Sequence, residues 1–391
     1  MTALQGITVL DLGRQGPGPF CSMVLGDFGA DVLLIEPPGS DTAADAPPDL
    51  QRERRRAHQP LRRNKRSIVL NLREPEARQL LYRLADAADV VMEGFRPGVV
   101  ARLEVDYETF AARNPRIVYC SLSGYGQDGP YASLVGHDVN YLSIAGALSM
   151  IGRPGQPPSI PQNILADFAG GGQAAVIAIL AALLARERTG CGQYIDLAMS
   201  DSVMYTLASA TAGVLAGGPS PRAGEGMLAG GVPFINVYET ADGQWISVAA
   251  LEPHFWRALC EAVDGTEFVP HQHDPDWHER IRQHLERCFR TKTRDQWFSA
   301  LRDLEVCVAP VLSLAEALAD RHNRARGMVV TVEDPVVGRV EQIGIGPKLT
   351  GTPGSVRTTA PRPGADTDSV LERLGCSAAE IADLRVRGIV A

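Results

Sequence analysis

An imidazole, a carboxylate, an amide and a phenol lie within five consecutive positions in the first half of the chain. His137, Asp138, Asn140 and Tyr141 follow Gly136. Side chains of these types can accept, donate or orient a proton during catalysis. A single histidine has a structural role in most proteins, so this cluster by itself leaves a catalytic and a structural interpretation open.

Two acidic residues stand at predicted helix starts. Asp167 lies just before three consecutive glycines and a long apolar segment, and Glu252 directly precedes Pro253. The ordinary role of such residues is to cap a helix or to place a negative charge in its first turn. A glycine-rich helix start can also bring a carboxylate and backbone N–H groups to a ligand, so both interpretations of Asp167 stay open.

The segment 52–66 contains 8 of the 38 lysines and arginines of the chain. One interpretation is a solvated loop. The alternative is a binding site for a phosphorylated ligand, because arginine side chains match phosphate oxygens in geometry and charge. Nucleic acid is a weaker third interpretation, since no nucleic-acid-binding motif accompanies the segment.

Two glycine patterns follow predicted strands. Residues 124–129 match Gly-x-Gly-x-x-Gly, but the sequence after them leaves no room for the helix that a dinucleotide site requires. Residues 13–18 contain three glycines after the first predicted strand, and Glu36 ends the second strand where a ribose-binding acid would lie. A nicotinamide-dependent oxidoreductase therefore stays open as an alternative.

Motifs of several other enzyme classes are absent from the sequence. It contains no Gly-x-Ser-x-Gly elbow, no phosphate-binding P-loop and no His-Glu-x-x-His. This chain therefore lacks the residues that identify serine hydrolases, P-loop nucleotidases and zincins. We interpret the histidines and aspartates between 271 and 278 as an exposed loop and a helix start, and we expect no bound metal.

Apolar β-branched runs alternate with helical patterns over the first 200 residues. Alternation of this kind predicts an α/β fold with a mainly parallel sheet and helices on both faces. The clearest amphipathic helix is 74–87, whereas 174–185 is apolar on all sides and is predicted as a buried helix. The predicted strands are 7–12, 32–36, 68–72, 90–95, 117–123 and 194–198.

The composition changes after residue 200. Glycines and small residues dominate 208–231, which predicts a long connection. An Asp-Gly pair between the apolar runs 234–239 and 245–249 predicts a β-hairpin. Further helices are expected beyond it, and 367–390 is predicted as a short helical hairpin.

Charge and cysteine content limit the class of protein. The 391 residues carry 38 basic and 46 acidic side chains, a net charge of −8, so general binding to nucleic acid or to an anionic membrane is not expected. Seven scattered cysteines without a Cys-x-x-Cys pair argue against a disulfide framework and a zinc ribbon. Because the longest apolar stretch has 12 residues and no basic leader precedes it, we expect a soluble cytoplasmic protein.

Eight segments, taken together, resemble the family III CoA-transferases and, within that superfamily, the α-methylacyl-CoA racemases. The resemblance extends over nearly the whole chain, and the segments occur in matching order. It includes Gly-His-Asp-Val-Asn-Tyr-Leu at 136–142 and Leu-Ala-Asp-Phe-Ala-Gly-Gly-Gly at 165–172. The other matching segments are 4–7, 17–30, 65–72, 123–127, 227–234 and 250–255.

The resemblance implies an α/β fold with two domains. A large Rossmann-like, CoA-binding domain would be built from both chain ends, 1–200 and 340–391, with a smaller central α+β domain at 234–307. The connections would be 201–233 and 308–339. Two subunits would interlock as a homodimer, and each active site would lie between the large domain of one subunit and the small domain of the other.

The resemblance also implies a racemase or epimerase of 2-methyl-branched acyl-CoA thioesters, with a role in lipid metabolism. His137 and Asp167 would exchange the α-proton on opposite faces of an enolate, and Glu252 would pair with His137 across the dimer interface. Two groups are needed because inversion removes a proton from one face and returns one to the other. Backbone N–H groups of 167–172 would stabilise the enolate oxygen. CoA would enter as part of the substrate, and neither a metal nor a redox cofactor would be required.

Two other functions stay open. A CoA-transferase of the same fold would use Asp167 as a nucleophile, forming a mixed anhydride with the acyl group and then an aspartyl-CoA thioester. Transferases of this fold generally lack the histidine that stands here as His137, which favours the racemase. A CoA-binding or nicotinamide-binding protein without this chemistry is the third alternative.

One departure from the racemase pattern concerns the CoA phosphates. Pro37 stands where the racemases usually carry an arginine, and 41–59 is longer and richer in arginine than in typical racemases. We therefore expect an arginine of this insertion to supply the missing guanidinium. The candidates are Arg52, Arg54, Arg55 and Arg56.

Contacts with the substrate follow from the resemblance position by position. The acyl chain is expected to lie on an apolar, methionine-rich surface, because flexible thioether side chains adapt to varied shapes. Its candidates are Met150, Met199, Met204 and Met227. The expected substrate and CoA contacts are Leu70, Asn71, Leu72, Arg73, Arg96, Gly136, Asp138, Asn140, Tyr141 and Asn163.

Overall fold

The computed structural model describes three stretches of the chain, 1–14, 16–39 and 49–391. Residues 41–48, the first part of the arginine-rich insertion, lie outside the described residues. Within the described part, strands and helices alternate over the first 200 residues, as the sequence pattern predicts.

The chain divides into two compact units. Both chain ends belong to the first unit, and a central stretch forms most of the second. The first unit comprises Met1–Ala145, Gln162–Thr206 and Arg321–Ala391, and the second comprises Gly146–Pro161 and Leu207–Asp320.

Six parallel strands form the central sheet of the first unit. They are β1 Thr8–Asp11, β2 Asp31–Glu36, β3 Lys65–Val69, β4 Val90–Glu93, β5 Val118–Ser123 and β6 Tyr194–Ala198. Their order in the sheet is β3-β2-β1-β4-β5-β6, so the winding direction reverses between β1 and β4. Ligands of such sheets bind beyond the carboxyl ends of the strands at this reversal. The predicted α/β fold with a parallel sheet is confirmed.

The third strand begins earlier than its apolar pattern indicates. The apolar pattern predicts a strand over 68–72, whereas the strand runs over Lys65–Val69. Its first two residues are basic, and each has a carboxylate partner on another strand of the sheet, Asp11 on β1 and Asp31 on β2. Lys65 Nζ lies 3.5 Å from Asp11 Oδ2, and Arg66 Nη2 lies 2.6 Å from Asp31 Oδ2. Such pairing permits a charged residue at a position that an apolar pattern would not assign to a strand.

One hydrophobic core lies between the sheet and the helix Pro75–Ala85. Successive strand residues point to opposite faces, and Leu10, Leu33 and Ile68 contribute to this core from neighbouring strands. The helix adds Leu81, which is fully buried. Complete burial of a leucine contributes about 1.5–3 kcal/mol relative to exposure, so helix and sheet stabilise one another.

The helix that follows Asn163 begins as a π-helix, Ile164–Gln173, and continues as an α-helix, Ala174–Thr189. Ala175 and Ile179 are buried, and this face contacts β5. The opposite face is exposed, which corrects the expectation of a helix buried on all sides. It carries Ile177, Leu180 and Leu184, which are 69%, 40% and 58% exposed.

Ile164–Thr189 is also the one helix of the described residues that could cross a membrane by length and composition alone. Its most apolar window has a mean hydropathy of 2.0. The 12-residue apolar stretch seen in the sequence is therefore part of a longer apolar helix. Core helices of soluble proteins meet the same two criteria, and this helix contributes buried residues to the first unit.

The second unit contains a three-stranded antiparallel sheet and several helices. Its strands are β7 Ile235–Glu239, β8 Trp245–Ala249 and β9 Val308–Pro310. The hairpin expected around the Asp-Gly pair is confirmed, because β7 and β8 pair directly. The 208–231 stretch is not wholly a connection, because it begins with the helix Ala208–Leu215, whose alanines favour helix formation. The other α-helices are Pro253–Ala262, Pro275–Phe289, Arg294–Leu301 and Leu314–Ala319.

The C-terminal part returns to the first unit. It contains the hairpin β10 Val329–Asp334 and β11 Gly338–Ile343, and the helices Thr367–Arg373 and Ala378–Val386. The two helices confirm the predicted helical hairpin. Val390 forms a bridge with Leu70, next to the edge strand β3. The remaining α-helices of this unit are Pro17–Asp27, Leu50–Ala57, Val99–Arg102, Tyr107–Ala111, Asp138–Ile144, Met199–Thr206 and Arg321–Ala325.

Candidate active site

A cavity of about 750 Å³ opens at the carboxyl ends of the strands, where the winding direction of the sheet reverses. The segments after β1, β4 and β5 line it. This is the position that sheet topology assigns to a ligand. His137 and Asp167 both line the cavity, so the structure brings these two predicted residues together. Gly136, Asn140, Tyr141, Asn163 and Arg96 line it as well.

His137 stands immediately before the helix Asp138–Ile144. Its backbone N–H donates to Asn140 Oδ1 at 3.0 Å, which fixes the start of this helix. The Tyr141 hydroxyl donates to the Gly136 carbonyl at 2.5 Å, and a Cβ at Gly136 would lie 2.9 Å from atoms of both Tyr141 and Tyr125. A glycine is therefore required before the histidine, and the tyrosine holds the segment that presents the imidazole to the cavity.

Tyr141 is buried and is itself a poor acid. Burial raises the pKa of its phenol to about 12, and the negative charges of Asp167 and Asp138 act in the same direction. The phenol therefore stays protonated at neutral pH and donates its hydrogen bond to Gly136. Its role in the site is to position the backbone beside His137.

Asp167 lies in the π-helix Ile164–Gln173. Single π-helical segments are rare and occur often at functional sites. Asn163 Nδ2 donates to Asp167 Oδ2 at 3.3 Å. Gly16 lies against the same oxygen, since a Cβ there would be 3.3 Å from it, and its φ of 51° favours glycine. The loop after β1 contains Gly13, Gly16 and Gly18, and we refer to it as the glycine loop. It thus packs directly on the candidate carboxylate through Gly16.

The pKa of the Asp167 carboxyl is raised above its usual range. Partial burial is the largest cause, because it disfavours the charged form. The hydrogen bond from Asn163 and the neighbouring His137 imidazole lower the pKa, whereas the charge of Asp138 raises it. A carboxyl of raised pKa can hold a proton more readily, which general acid and base catalysis at neutral pH requires.

Asp138 is buried and holds the start of the helix that carries Asp167. Its Oδ2 accepts the backbone N–H groups of Ala166 and Asp167, each at 2.8 Å. Its Oδ1 is buried and has no hydrogen-bond partner among the described residues. The Asp167 N–H is consequently not available to an enolate oxygen, which removes one of the donors expected from 167–172.

A buried hydrogen-bond network supports the glycine loop. The backbone N–H of Gly13 donates to Asp11 Oδ1 at 2.7 Å, and the Ser22 hydroxyl donates to Asp11 Oδ2. Lys65 Nζ donates to Ser22 Oγ at 2.5 Å and to the Pro19 carbonyl at 3.0 Å. Burial lowers the pKa of the lysine to about 8 despite the opposing charge of Asp11. The network ties β1, β3 and the helix Pro17–Asp27 together next to the cavity.

A second buried carboxylate supports the loop after β4. Glu93 Oε2 accepts the backbone N–H of Phe95 at 2.6 Å, and its other oxygen accepts the Ser121 hydroxyl. Burial raises the pKa of Glu93 to about 6, although both hydrogen bonds lower it. The contact fixes Phe95 and Arg96, which line the cavity.

A second cavity, of about 770 Å³, adjoins the first. Leu12, Arg14 and Phe95 line both cavities, so the two share a boundary. The second cavity contains Pro37 and the predicted CoA contacts Leu70, Asn71, Leu72 and Arg73. The structure therefore places His137, Asp167 and all predicted CoA and substrate contacts except Asp138 in two neighbouring cavities of the first unit.

Sequence reasoning missed two arginines of this region. Arg14 and Arg102 line the second cavity together with Arg73, and none of the three has an ion pair among the described residues. Arg14 lies over the Phe95 ring, with 5.5 Å between its Cζ and the ring centroid. Its position between Gly13 and Gly16, in the loop after the first strand, is the signal in the sequence, because such loops line ligand sites in this topology.

The arginines of 52–56 lie on the helix Leu50–Ala57, and none of them lines either cavity. Arg56 binds Glu53 at 2.8 Å and Asp334 at 2.7 Å, and it donates to the Ala360 carbonyl. Its guanidinium is therefore used to attach this helix to the C-terminal part of the unit. The structure does not bring Arg52, Arg54, Arg55 or Arg56 to the cavities.

The remaining predicted residues are distributed over both units. Glu252 is exposed and directly precedes the helix Pro253–Ala262 in the second unit, and its pairing with His137 stays a prediction. Met199 lines the first cavity, and Met204 is exposed on the same unit. Met150 and Met227 belong to the second unit.

The histidines near 271–278 make contacts within the second unit. His271 stacks on Trp277 with 3.7 Å between ring centroids, and a nitrogen of His278 lies 3.0 Å from the Gln272 carbonyl. Across 1–14, 16–39 and 49–391, no group of three or more histidine, cysteine or acidic side chains is arranged to hold a metal ion.

Curated proteins with similar sequences include racemases and transferases. The chain is 38% identical to the α-methylacyl-CoA racemase of Homo sapiens, over 99% of this chain and 97% of that protein. The α-methylacyl-CoA racemase of Mus musculus is 35% identical over the same shares. A succinyl-CoA–D-citramalate CoA-transferase of Chloroflexus aurantiacus is 30% identical, over 99% of this chain and 98% of that protein.

Solved structures show the same fold. A CAIB/BAIF family protein from Brucella suis superposes with a TM-score of 0.79 and 28% identity, over 95% of this chain and 99% of that chain. The sequence model of CoA-transferase family III matches residues 4–367. That match includes every residue that lines the two cavities. The chain therefore belongs to the family III CoA-transferases.

Proposed function

We propose that this protein racemises or epimerises 2-methyl-branched acyl-CoA thioesters by exchanging the proton on the carbon next to the thioester carbonyl. The observation that supports this most directly is the shared cavity of His137 and Asp167. Histidine is the most frequent general acid or base in enzymes, and the raised pKa of the Asp167 carboxyl lets this group hold a proton more readily. The curated racemases that match this chain over its whole length support the same reaction.

The proposed reaction needs both groups. One removes the α-proton and leaves an enolate, and the other donates a proton to the opposite face of the same carbon. The first group finishes protonated and the second deprotonated, so the proton count balances and the reverse reaction exchanges their roles. No cofactor takes part in this proposal, because CoA enters as part of the substrate.

We further propose that CoA binds along the two adjoining cavities. Arg14, Arg73 and Arg102 surround the second cavity, and Arg96 lines the first. Guanidinium groups without carboxylate partners are suited to phosphate oxygens, which they bind through paired N–H donors. The thioester would then lie beside His137 and Asp167.

An interlocked homodimer is part of the proposal. In it, Glu252 of one subunit would pair with His137 of the other and orient the imidazole. The exposed apolar face of Ile164–Thr189, with Ile177, Leu180 and Leu184, supports a protein contact there. Large contiguous apolar patches on soluble proteins often mark protein–protein contacts.

Transfer of CoA between carboxylic acids is the second candidate function. It is supported by the accessible Asp167 carboxylate and by the transferases among the similar proteins. In that reaction Asp167 would attack the thioester carbonyl, release CoA thiolate and form an anhydride. CoA thiolate would then attack the aspartyl carbonyl, giving an aspartyl thioester and the free acid.

The deciding experiment is proton NMR of the purified protein with (R)-2-methyldecanoyl-CoA in deuterium oxide. We expect loss of the α-proton signal together with formation of the S epimer. His137→Ala and Asp167→Asn should each lower the exchange rate by about 10²–10⁴-fold, the usual contribution of a positioned acid or base. His58→Gln and Asp303→Asn are matched controls that line neither cavity, and both should retain the rate.

Wild-type exchange in both active-site variants would contradict the racemase. The transferase is tested in parallel by adding hydroxylamine to protein and thioester, since hydroxylamine converts an aspartyl thioester to a hydroxamate. A mass increase at Asp167, without α-proton exchange, would establish the transferase instead.

A further inference from the structure

Three large apolar side chains face solvent in the short segment just before His137. Tyr131, Leu134 and Val135 are 48%, 52% and 67% exposed. Leu134 and Val135 line the same cavity as His137 and Asp167. We infer that residues 131–135 form the surface on which the acyl chain of the substrate lies, and we refer to them as the acyl segment.

The acyl segment is held in place by its own turns. The Ala132 N–H donates to the Gly129 carbonyl at 3.3 Å, and the Leu134 N–H donates to the Tyr131 carbonyl at 2.9 Å. Both are backbone contacts, so the apolar side chains remain free to contact a ligand.

Aromatic contacts connect the acyl segment to the residues beside His137. The Tyr131 ring meets Tyr125 edge to face, with 6.3 Å between centroids, and Tyr125 meets Tyr141 in the same way at 5.0 Å. Tyr141 in turn binds the Gly136 carbonyl. The apolar surface is therefore attached to the backbone that presents the imidazole, and its position relative to the reacting carbon is set by the fold.

The distribution of charge over the two cavities indicates how the substrate is oriented in them. The second cavity and its boundary with the first carry Arg14, Arg73 and Arg102, which suit the phosphate end of CoA. The acyl segment, Tyr-Ala-Ser-Leu-Val, carries no charge. A thioester with its phosphates at the arginines and its carbonyl beside His137 and Asp167 can direct its acyl chain along this segment.

This arrangement selects an apolar acyl chain over one that ends in a carboxylate. Each methylene group removed from water contributes about 0.8 kcal/mol, which corresponds to about fourfold in affinity. A terminal carboxylate would lose hydration on this surface, because the acyl segment contains no cation and the proposed function assigns Arg14 and Arg96 of the same cavity to the CoA phosphates. The inference rests on the proposed function, because it assumes that His137 and Asp167 mark the reacting carbon.

The test uses the double variant Leu134→Ser/Val135→Ser, whose side chains are both exposed in the wild type. The kcat/KM for α-proton exchange is measured with 2-methylbutanoyl-CoA and 2-methyldecanoyl-CoA. We expect the ratio of the long to the short substrate to exceed tenfold in the wild type and to fall at least fivefold in the double variant. Val386→Ser, a matched removal of an apolar side chain that is 88% exposed, should retain the wild-type ratio.

Binding of unreactive thioethers separates this inference from the proposed function. Dissociation constants of S-ethyl-CoA, S-decyl-CoA and S-(3-carboxypropyl)-CoA are measured by calorimetry for the same three proteins. The decyl compound should bind the wild type at least tenfold more tightly than the other two, and the double variant should lose most of that preference. This result, without α-proton exchange, would support the acyl segment and contradict the racemase.

Two results would overturn the inference. One is α-proton exchange whose chain-length ratio is unchanged in the double variant, which would leave the proposed function intact. The other is equal binding of all three thioethers by the wild type, which would show that no apolar surface takes part in recognition.

Discussion

The carboxylate of Asp138 accepts the backbone N–H of Asp167 at 2.8 Å, so the residue next to His137 in the chain holds the other candidate catalytic residue. The same oxygen accepts the Ala166 N–H at 2.8 Å. The two candidate acid and base groups, although 30 positions apart, are thus attached to one another through a single buried side chain. A change at Asp138 should therefore alter the chemistry of Asp167.

We expect Asp138→Asn to shift the pH dependence of α-proton exchange. The negative charge of Asp138 contributes to the raised pKa of Asp167, so its removal should lower that pKa. The acidic limb of the kcat/KM profile should move to lower pH, since the profile reports the free enzyme. Asn140→Ala is the comparison, and it should leave the acidic limb in place because Asn140 contacts the His137 backbone instead. An unshifted limb in Asp138→Asn would contradict the coupling.

Arg14→Gln should weaken binding of CoA. A lost charge-assisted hydrogen bond to phosphate costs about 1.5–3 kcal/mol, so the dissociation constant should rise by at least tenfold. The matched control is Arg54→Gln, because Arg54 is exposed on the helix Leu50–Ala57 and lines neither cavity. Calorimetry with free CoA measures both. If Arg54→Gln raised the dissociation constant of CoA strongly and Arg14→Gln did not, the phosphate site would lie at the arginine-rich insertion 41–59 instead.

Lys65→Met should destabilise the first unit strongly. The side chains of Lys65 and Asp11 are both fully buried, and Lys65 Nζ lies 3.5 Å from Asp11 Oδ2. Removal of one partner leaves a buried charge without compensation, which costs about 3–5 kcal/mol. The neighbouring Arg66→Met is the control, because its pair with Asp31 is partly exposed and such pairs contribute about 0–1 kcal/mol. Urea unfolding monitored by circular dichroism gives both values, and equal losses would contradict this account of the network.

Glu93 should make stability depend on pH in the weakly acidic range. Its pKa is raised from 4.5 to about 6, so the folded state binds the proton more tightly than the unfolded state. This contribution is fully present below pH 4.5 and is lost as the pH rises through about 6. A shift of this size corresponds to about 2 kcal/mol.

Glu93→Gln should remove that dependence, because an amide does not titrate in this range. Between pH 4.5 and pH 7 the wild type should therefore lose about 2 kcal/mol relative to Glu93→Gln. Urea unfolding of both proteins at the two pH values measures the difference. Parallel changes in the two proteins would show that Glu93 titrates alike in the folded and unfolded states.

Much of the fold could be predicted from local patterns. β-Branched runs separated by helical spacing indicate strands and helices wherever the strand interior is apolar, as at β2 and β5. The apolar pattern predicts β3 too late in the chain, because the first residues of this strand are charged and are stabilised by Asp11 and Asp31 on other strands. A local pattern contains no information about partners so distant in the chain.

In the candidate site, too, some features follow from local sequence and others from contacts between distant segments. The residue types at 137 and 167 indicated proton transfer, and the glycines around them indicated close packing. Tertiary structure decided that Arg14 lines both cavities, that Arg56 is used in an ion pair with Asp334, and that Asp138 supports Asp167.

The physical reason is the range of the interactions involved. Helix and strand periodicity depends on neighbours within a few residues, so local patterns indicate most of the elements and the chemical types of side chain available. The order of the strands and the partners of each charged side chain depend on contacts between distant segments, such as Leu70 with Val390. Those contacts decide which of the available groups line the cavities, and only the tertiary structure shows them.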